Sequence, residues 1–191
     1  MLFHKWVTGL VSPALLFFGC ACTPTVYVHG IPNLTQVKPG LWRSGQPTTL
    51  EQWRYIRSLG ITRVVKLNFT SEGSDDGAVL AGMTVHVRSI QPEGDRDLLD
   101  NIAGTFVQPA TSMLVEIERV IELGGGVLVH CTWGRDRTGL AIGRHRVIID
   151  KWPKADAYAE MLSHNFHPSL HGLHESWEQF PSSGSIGVKL F

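Results

Sequence analysis

A mainly parallel α/β fold, with a central sheet of four to five strands flanked by helices, is the architecture this sequence predicts. Three observations point to it. Short β-rich runs alternate with helical patterns from Leu41 to about Phe166. Glycine and proline clusters separate those runs. The apolar run Val127-Leu128-Val129 passes through one loop straight into a helical pattern. Strands alternating with helices favour a parallel sheet covered on both faces. Functional loops in such sheets gather at the carboxyl ends of the strands.

The elements follow in order. Residues 23–39 hold Pro24, Pro32 and Pro39 among Thr, Asn and Gly, which predicts a linker with little regular structure. The domain proper is expected over 40–180, opening with a short strand around Leu41 to Arg43. Thr48-Thr49-Leu50-Glu51 predicts a capping box with Thr48 as N-cap, and Leu50, Trp53 and Ile56 recur on one helical face before Gly60. Arg63 to Leu67 reads as the next strand. Ser71 to Gly77 is polar and glycine-rich, a loop, with a short helical turn over Ala78 to Gly82. Thr84 to Arg88 alternates as a third strand. A turn cluster from Gln91 to Asp97 leads to a helical run kinked or broken at Pro109, its second part carrying Met113, Ile117, Val120 and Ile121 on one face. Gly124, Gly125 and Gly126 stop it. Past the loop, Gly139 and Gly143 stand four apart and let their helix approach the sheet. Lys154 to Phe166 and Pro168 to Glu178 read as two further helices, and 181–191 as a tail.

Composition excludes some functions. Lys and Arg number 17, as do Asp and Glu, so no large nucleic-acid-binding surface is expected. An apolar fraction of 43% with 18% charged residues is that of a folded chain. Locally, Arg135, Arg137, Arg144 and Arg146 crowd together, which suits a small anionic group rather than a polyanion.

Residues 1–22 read as an export leader. Lys5 supplies the positive end, Val7 to Phe18 the apolar stretch, and Gly19-Cys20-Ala21-Cys22 the small-residue end. Gly19 before Cys20 resembles the cleavage site of bacterial lipoprotein signals, in which the cysteine is lipidated, although Phe17 replaces the usual leucine. The expected location is therefore exported, periplasmic or membrane-anchored. Cys131 is then the one thiol of the folded body, which leaves no cysteine-based zinc site there.

The chemistry is concentrated in His130-Cys131-Thr132-Trp133-Gly134-Arg135-Asp136-Arg137-Thr138-Gly139. A strand ending in a loop that opens a helix makes an anion pocket, from loop amides and the positive helix end. A thiol at the floor of such a pocket is favoured as thiolate and becomes a nucleophile. Arg137 can grip two oxygens of a tetrahedral oxyanion with its planar fork. The pattern calls for phosphoryl transfer to sulfur.

His-Cys-x-x-Gly-x-x-Arg-Thr-Gly resembles the active-site pattern of the cysteine-dependent protein tyrosine phosphatase superfamily, complete at His130, Cys131, Gly134, Arg137, Thr138 and Gly139. Arg43-Ser44-Gly45-Gln46-Pro47 is similar to the start of bacterial and fungal dual-specificity-type domains. The resemblance implies hydrolysis of phosphate monoesters through a phosphocysteine, with no cofactor and no metal. It implies Cys131 as nucleophile and Arg137, with the amides of Thr132, Trp133, Gly134, Arg135 and Asp136, as the phosphate seat. His130 would order the cysteine, and Thr138 would assist departure of the thiolate. The superfamily also places a general-acid aspartate on a loop some thirty residues upstream. Asp95 fits best, Asp97 and Asp100 are rivals, Glu93 fits less well, and any of them can instead cap a helix.

Arg135 can contact a second phosphate or sit solvated at the rim, Asp136 can orient a water or pair with Arg135, and Trp133 can wall the pocket or pack on the domain. Substrate choice stays open between phosphorylated protein (phosphotyrosine, phosphoserine or phosphothreonine) and inositol phosphates or phosphoinositides. His164, His167, His171 and His174 would line one helical face, but Pro168 interrupts it, and surface and core histidines explain them better than a metal site. The competing classes are a phosphate-binding pseudophosphatase and sulfur transfer or arsenate reduction on a similar loop.

Overall fold

The computed structural model of the protein describes residues 24–90 and 107–180. In chain order its elements are β1 (Tyr27–Val28), β2 (Ile31–Pro32), β3 (Thr35–Lys38), β4 (Leu41–Ser44), α1 (Leu50–Ser58), β5 (Ile61–Lys66), α2 (Asp76–Leu80), β6 (Thr84–Val87), α3 (Val107–Glu122), β7 (Gly126–His130), α4 (Asp136–Ile148), α5 (Lys154–Ser163) and α6 (His171–Glu178). The main sheet has five strands in the order β3-β4-β7-β5-β6, parallel except for the antiparallel edge strand β3. The predicted fold class holds.

β7 is the central strand and is buried along its whole length. Its residues alternate between two cores, as a period of two requires. Val127 and Val129 join Leu41, Val65, Met113, Leu114, Ile117 and Ile142 on the face covered by α3 and α4. Leu128 joins Trp53, Ile56, Val64 and Ala78 on the face covered by α1 and α2. A third core, with Leu140, Met161, Phe166, Leu173 and Trp177, ties α4 to α5 and α6. Burying each such large side chain contributes about 1.5–3 kcal/mol. α4 is therefore enclosed on nearly every side and rigidly placed behind the loop that precedes it.

Several expectations are corrected. The stretch 23–39 is not a structureless linker. Tyr27–Val28 and Ile31–Pro32 form a small hairpin, and Thr35–Lys38 pairs with β4. Strands of two to four residues, separated by turns at His29, Gly30 and Asn33 with positive φ, leave no alternation long enough to read. The first helix is capped one residue later than expected, by Thr49, whose hydroxyl accepts from Gln52 N–H while the Gln52 side chain reaches back. Two overlapping sequences fit the same box, and the helix starts at Leu50.

Pro109 does not break α3; it lies in the first turn, where the missing N–H has no helical acceptor. Gly143 serves the packing of α5 and α6 rather than of the sheet, since a Cβ there would stand 2.6 Å from Met161 Sδ and 3.1 Å from Trp177. Among the described residues, no helix is long and apolar enough to cross a membrane.

Candidate active site

Three parallel strands end at one level. His130 on β7 is in register with Ser44 on β4 and with Lys66 on β5. The loop 131–135 leaves β7 at this edge and enters α4, whose amino terminus faces it. Among the described residues, the candidate polar groups are gathered here, at the carboxyl ends of the strands.

The loop rests on the segment after β4. Gly134 has φ +71°, and a Cβ there would lie 2.4 Å from Ser44 C and 2.5 Å from Gly45 N, so only glycine fits. Gln46 N–H donates to Thr132 O at 3.0 Å, and Arg43 Nη2 donates to Gly134 O at 2.9 Å. The β1–β2 hairpin closes the other side. Asn33 Nδ2 donates to Trp133 O at 2.7 Å, and Arg135 Nη2 bonds Thr25 Oγ1.

Cys131 is buried at the end of β7 and its thiol is free. Arg137, in the first turn of α4, is held by Glu72 from the short turn Thr70–Glu72. Nη1 donates to Oε2 at 2.6 Å and Nη2 to Oε1 at 3.0 Å. The guanidinium also lies over the Phe69 ring. The hydrogen bond from Arg137 holds the Glu72 carboxyl below its usual range. Thr138, one residue on, is fully buried, and its Oγ1 has no hydrogen-bond partner among the described residues.

Beneath the loop is a buried polar network. His130 Nε2 is 3.0 Å from Asp75 Oδ2, while Gln46 Nε2 donates to Asp75 Oδ1 at 2.7 Å and Lys66 Nζ lies 3.3 Å from the same oxygen. Burial alone would raise the Asp75 carboxyl. The hydrogen bonds from His130 and Gln46 and the Lys66 charge outweigh it and hold the carboxyl at about 2. Asp75 therefore stays an anion and fixes the ring that precedes the cysteine.

The comparisons with known proteins agree with this geometry. The family model described as "Tyrosine phosphatase family" matches residues 28–145, which include the whole loop and its bed. The chain belongs to the tyrosine phosphatase family. Among the relatives of this phosphatase-family chain is the dual specificity protein phosphatase TpbA of Pseudomonas aeruginosa, 31% identical over 134 residues, 70% of this chain and 55% of that protein. The inositol diphosphatase DSP2 of Oryza sativa subsp. japonica is 24% identical over 128 residues, 67% of this chain and 59% of that protein. The chain thus spans little more than half the length of these curated relatives. The fold is shared with the crystal structure of P. aeruginosa TpbA, at TM-score 0.63 and 22% identity over 84% of this chain and 92% of that one. It is shared too with Tk-PTP in its active form, at TM-score 0.59 and 17% identity over 78% of this chain and 99% of that one.

Other expected residues of this phosphatase-family chain fall elsewhere. Asp95, Asp97, Asp100 and Glu93 lie outside the described residues, as do Cys20 and Cys22. Asp136 is held by His167 rather than by Arg135; its Oδ1 accepts from His167 N–H at 2.8 Å and lies 2.9 Å from His167 Nδ1, stapling the start of α4 to the segment after α5. Arg144 and Arg146 do not crowd the loop. Arg144 bonds Ser176 on α6, and Arg146 bonds Glu160 and Asp150. They sit about two turns or more beyond Arg137 along the helix, which sequence proximity conceals.

Trp133 is half-exposed, with the Arg135 guanidinium 5.8 Å from its ring centroid. His174 lies beside Tyr158 and His164 is half-buried near Arg43, so the four histidines share no common face. Glu72, Asp75, Lys66 and Arg43 were not singled out from sequence. The one available signal was Arg43-Ser44-Gly45-Gln46, whose every residue touches the loop or its supports.

Proposed function

We propose that this protein hydrolyses phosphate monoesters, phosphotyrosine first, through a phosphocysteine intermediate. The observation that carries the reading is the joint placement of Cys131 at the end of β7 and Arg137 in the first turn of α4, with the Arg137 fork already oriented by Glu72. Glu72 occupies one N–H on each Nη, which leaves Nε and the remaining Nη hydrogens for phosphate oxygens.

In this reading Cys131 Sγ attacks phosphorus in line, the S–P bond forms and the P–O ester bond breaks. The departing oxygen takes a proton from an upstream acid, for which Asp95 is our candidate. Water then attacks phosphorus, giving up its proton to that carboxylate, and the S–P bond breaks. The orphaned Thr138 hydroxyl donates to the departing sulfur, while His130, braced by Asp75, holds the strand end in place. Support for the substrate class comes from relatives: TpbA is named a dual specificity protein phosphatase, and a TpbA variant has been crystallised with pTyr.

The test is hydrolysis of a phosphotyrosyl, a phosphoseryl and an inositol phosphate substrate, with Cys131→Ser and Asp95→Asn alongside. Turnover that vanishes in Cys131→Ser, and slows strongly in Asp95→Asn with vanadate binding intact, supports the reading. Activity surviving in Cys131→Ser overturns it, and oxyanion binding without turnover in the unmodified protein makes it a pseudophosphatase. We further propose export, with lipid attached at Cys20; an unmodified Cys20 in protein purified from membranes of the producing cell would refute that attachment.

A further inference from the structure

Arg43 is 1% exposed, an unusual place for a guanidinium. It is in register with Val129 on the neighbouring parallel strand. Register partners point to the same face of a sheet, and so do residues two apart along a strand. Arg43 therefore projects into the core that holds Val129 and Cys131. From there its Nη2 reaches Gly134 O at 2.9 Å and would stand 3.9 Å from a Cβ on Gly139, so the guanidinium lies between the loop and the first turns of α4. Its Nε has no hydrogen-bond partner among the described residues.

We infer that Arg43 is a positioning residue for Cys131, a second cation behind the loop whose charge favours the sulfur anion while its Nη2 fixes the Gly134 carbonyl. This rests on the nucleophile reading given above. Burial lowers Arg43 to about 10, against the opposing pull of Glu160 and Cys131, so it is charged at neutral pH. A full charge kept in an apolar core at that cost needs a partner. Glu160, which is also bonded to Arg146, and the Cys131 sulfur share the field of Arg43.

The other charges around the pair are accounted for. From α4 come Arg137, held by Glu72, and Asp136, held by His167. From β5, α2 and β7 come Lys66, Asp75 and His130, bonded to one another. From α5 and its end come Glu160 and His164, and Arg146 from the far turn of α4. Arg43 is the member of this set that meets the loop from within the core.

The experiment follows alkylation of Cys131 by iodoacetamide from pH 4 to 9, quantified on the Cys131 peptide by mass spectrometry. Sulfur displaces iodide in a reaction that needs no turnover. Absence of phosphatase activity in the unmodified protein would therefore sink the function proposed above without touching this readout. Arg43→Gln keeps an N–H donor for Gly134 O and loses the charge; Arg43→Lys keeps the charge. The expected result is a half-reaction pH about one unit higher in Arg43→Gln, matched by the acid limb of kcat/KM, with Arg43→Lys close to the unmodified protein. An unmoved Arg43→Gln profile, or equal shifts in both variants, overturns the charge role. Should Arg43→Gln lose its circular dichroism, Glu160→Gln removes the carboxylate beside an intact Arg43. Its half-reaction pH is expected to fall, and no change there overturns the proposal.

Discussion

Arg137 and Glu72, 65 residues apart in sequence, meet through two parallel hydrogen bonds of 2.6 and 3.0 Å. A planar fork gripped in this way cannot swing, and ordering it before substrate arrives removes that entropy from the binding step. Glu72 is itself anchored, because its Oε2 also accepts from Phe69 N–H at 2.9 Å. Glu72→Ala is therefore expected to lower kcat/KM about 10–100-fold, a loss of about 1–3 kcal/mol, with vanadate affinity falling in parallel. Thermal stability should change little, since Glu72 is partly exposed. Faster turnover in Glu72→Ala would mean that the carboxylate competes with phosphate rather than orienting its receptor.

Asp75 is the anion that closes the network under the loop, so its removal takes from buried Lys66 its ion-pair partner among the described residues. Breaking a buried pair from one side costs about 3–5 kcal/mol, and Asp75→Asn is expected to lose stability of that order in urea titration. The pH dependence has a definite sign. The folded carboxyl sits at about 2 against an ordinary 3.8, so the unfolded chain binds more protons between those values. The stability from Asp75, about 2 kcal/mol, is full above about pH 4 and is lost as pH falls through about 2. That acid slope should be shallower in Asp75→Asn; an unchanged slope would assign acid unfolding to other carboxylates.

These two acids also mark where the sequence stopped being legible. The strands around β7, the loop and α4 were read directly, because apolar runs and a motif of fixed spacing are local signals. Glu72 and Asp75 lie in a polar, glycine-rich stretch with no period, and their partners are 65 and 55 residues away. Nothing in a single chain separates such a carboxylate from a solvated loop acid until β5 and β7 set it beside the loop 131–135. The early strands were missed for a different reason. β1 and β2 have two residues each, below the length at which alternation exists. Arg146 was misplaced at the pocket because neighbours in sequence point to different sides of a helix; its place among Glu160, Asp150 and Val37 O follows from tertiary packing.

His164 gives stability a second pH dependence, on the neutral side. Burial, reinforced by the Arg43 charge, pulls the imidazole from 6.5 down to about 4. The folded protein keeps it neutral where the unfolded chain is protonated, so stability is lost as pH falls from about 6.5 to about 4 and is regained on raising it. With allowance for solvent screening of a half-buried ring, the effect is about 1 kcal/mol. His164→Gln is expected to flatten the melting temperature across pH 4–6.5 by about 2–4 °C. A slope that persists in this variant would place the titrating group elsewhere.

Gly134 supplies the sharpest steric prediction. Alanine there meets two obstacles at once, a φ of +71° that costs an L-residue about 1–2 kcal/mol, and a Cβ 2.4 Å from Ser44 C. The second cannot be relieved by a rotamer, because the obstructing atoms are the backbone of the β4 end, pinned through Gln46 N–H to Thr132 O and through Gly45 N–H to Pro32 O. The loop must lift instead, and with it the Gly134 carbonyl that Arg43 holds. Misplacing a catalytic loop by about 1 Å costs about 100-fold in rate, so Gly134→Ala should lose at least about that in kcat/KM. The core clusters lie outside the disturbed contact, and the melting temperature should fall by only a few degrees. A variant that keeps its full rate would show that the loop is not seated on the Ser44–Gly45 backbone when it works.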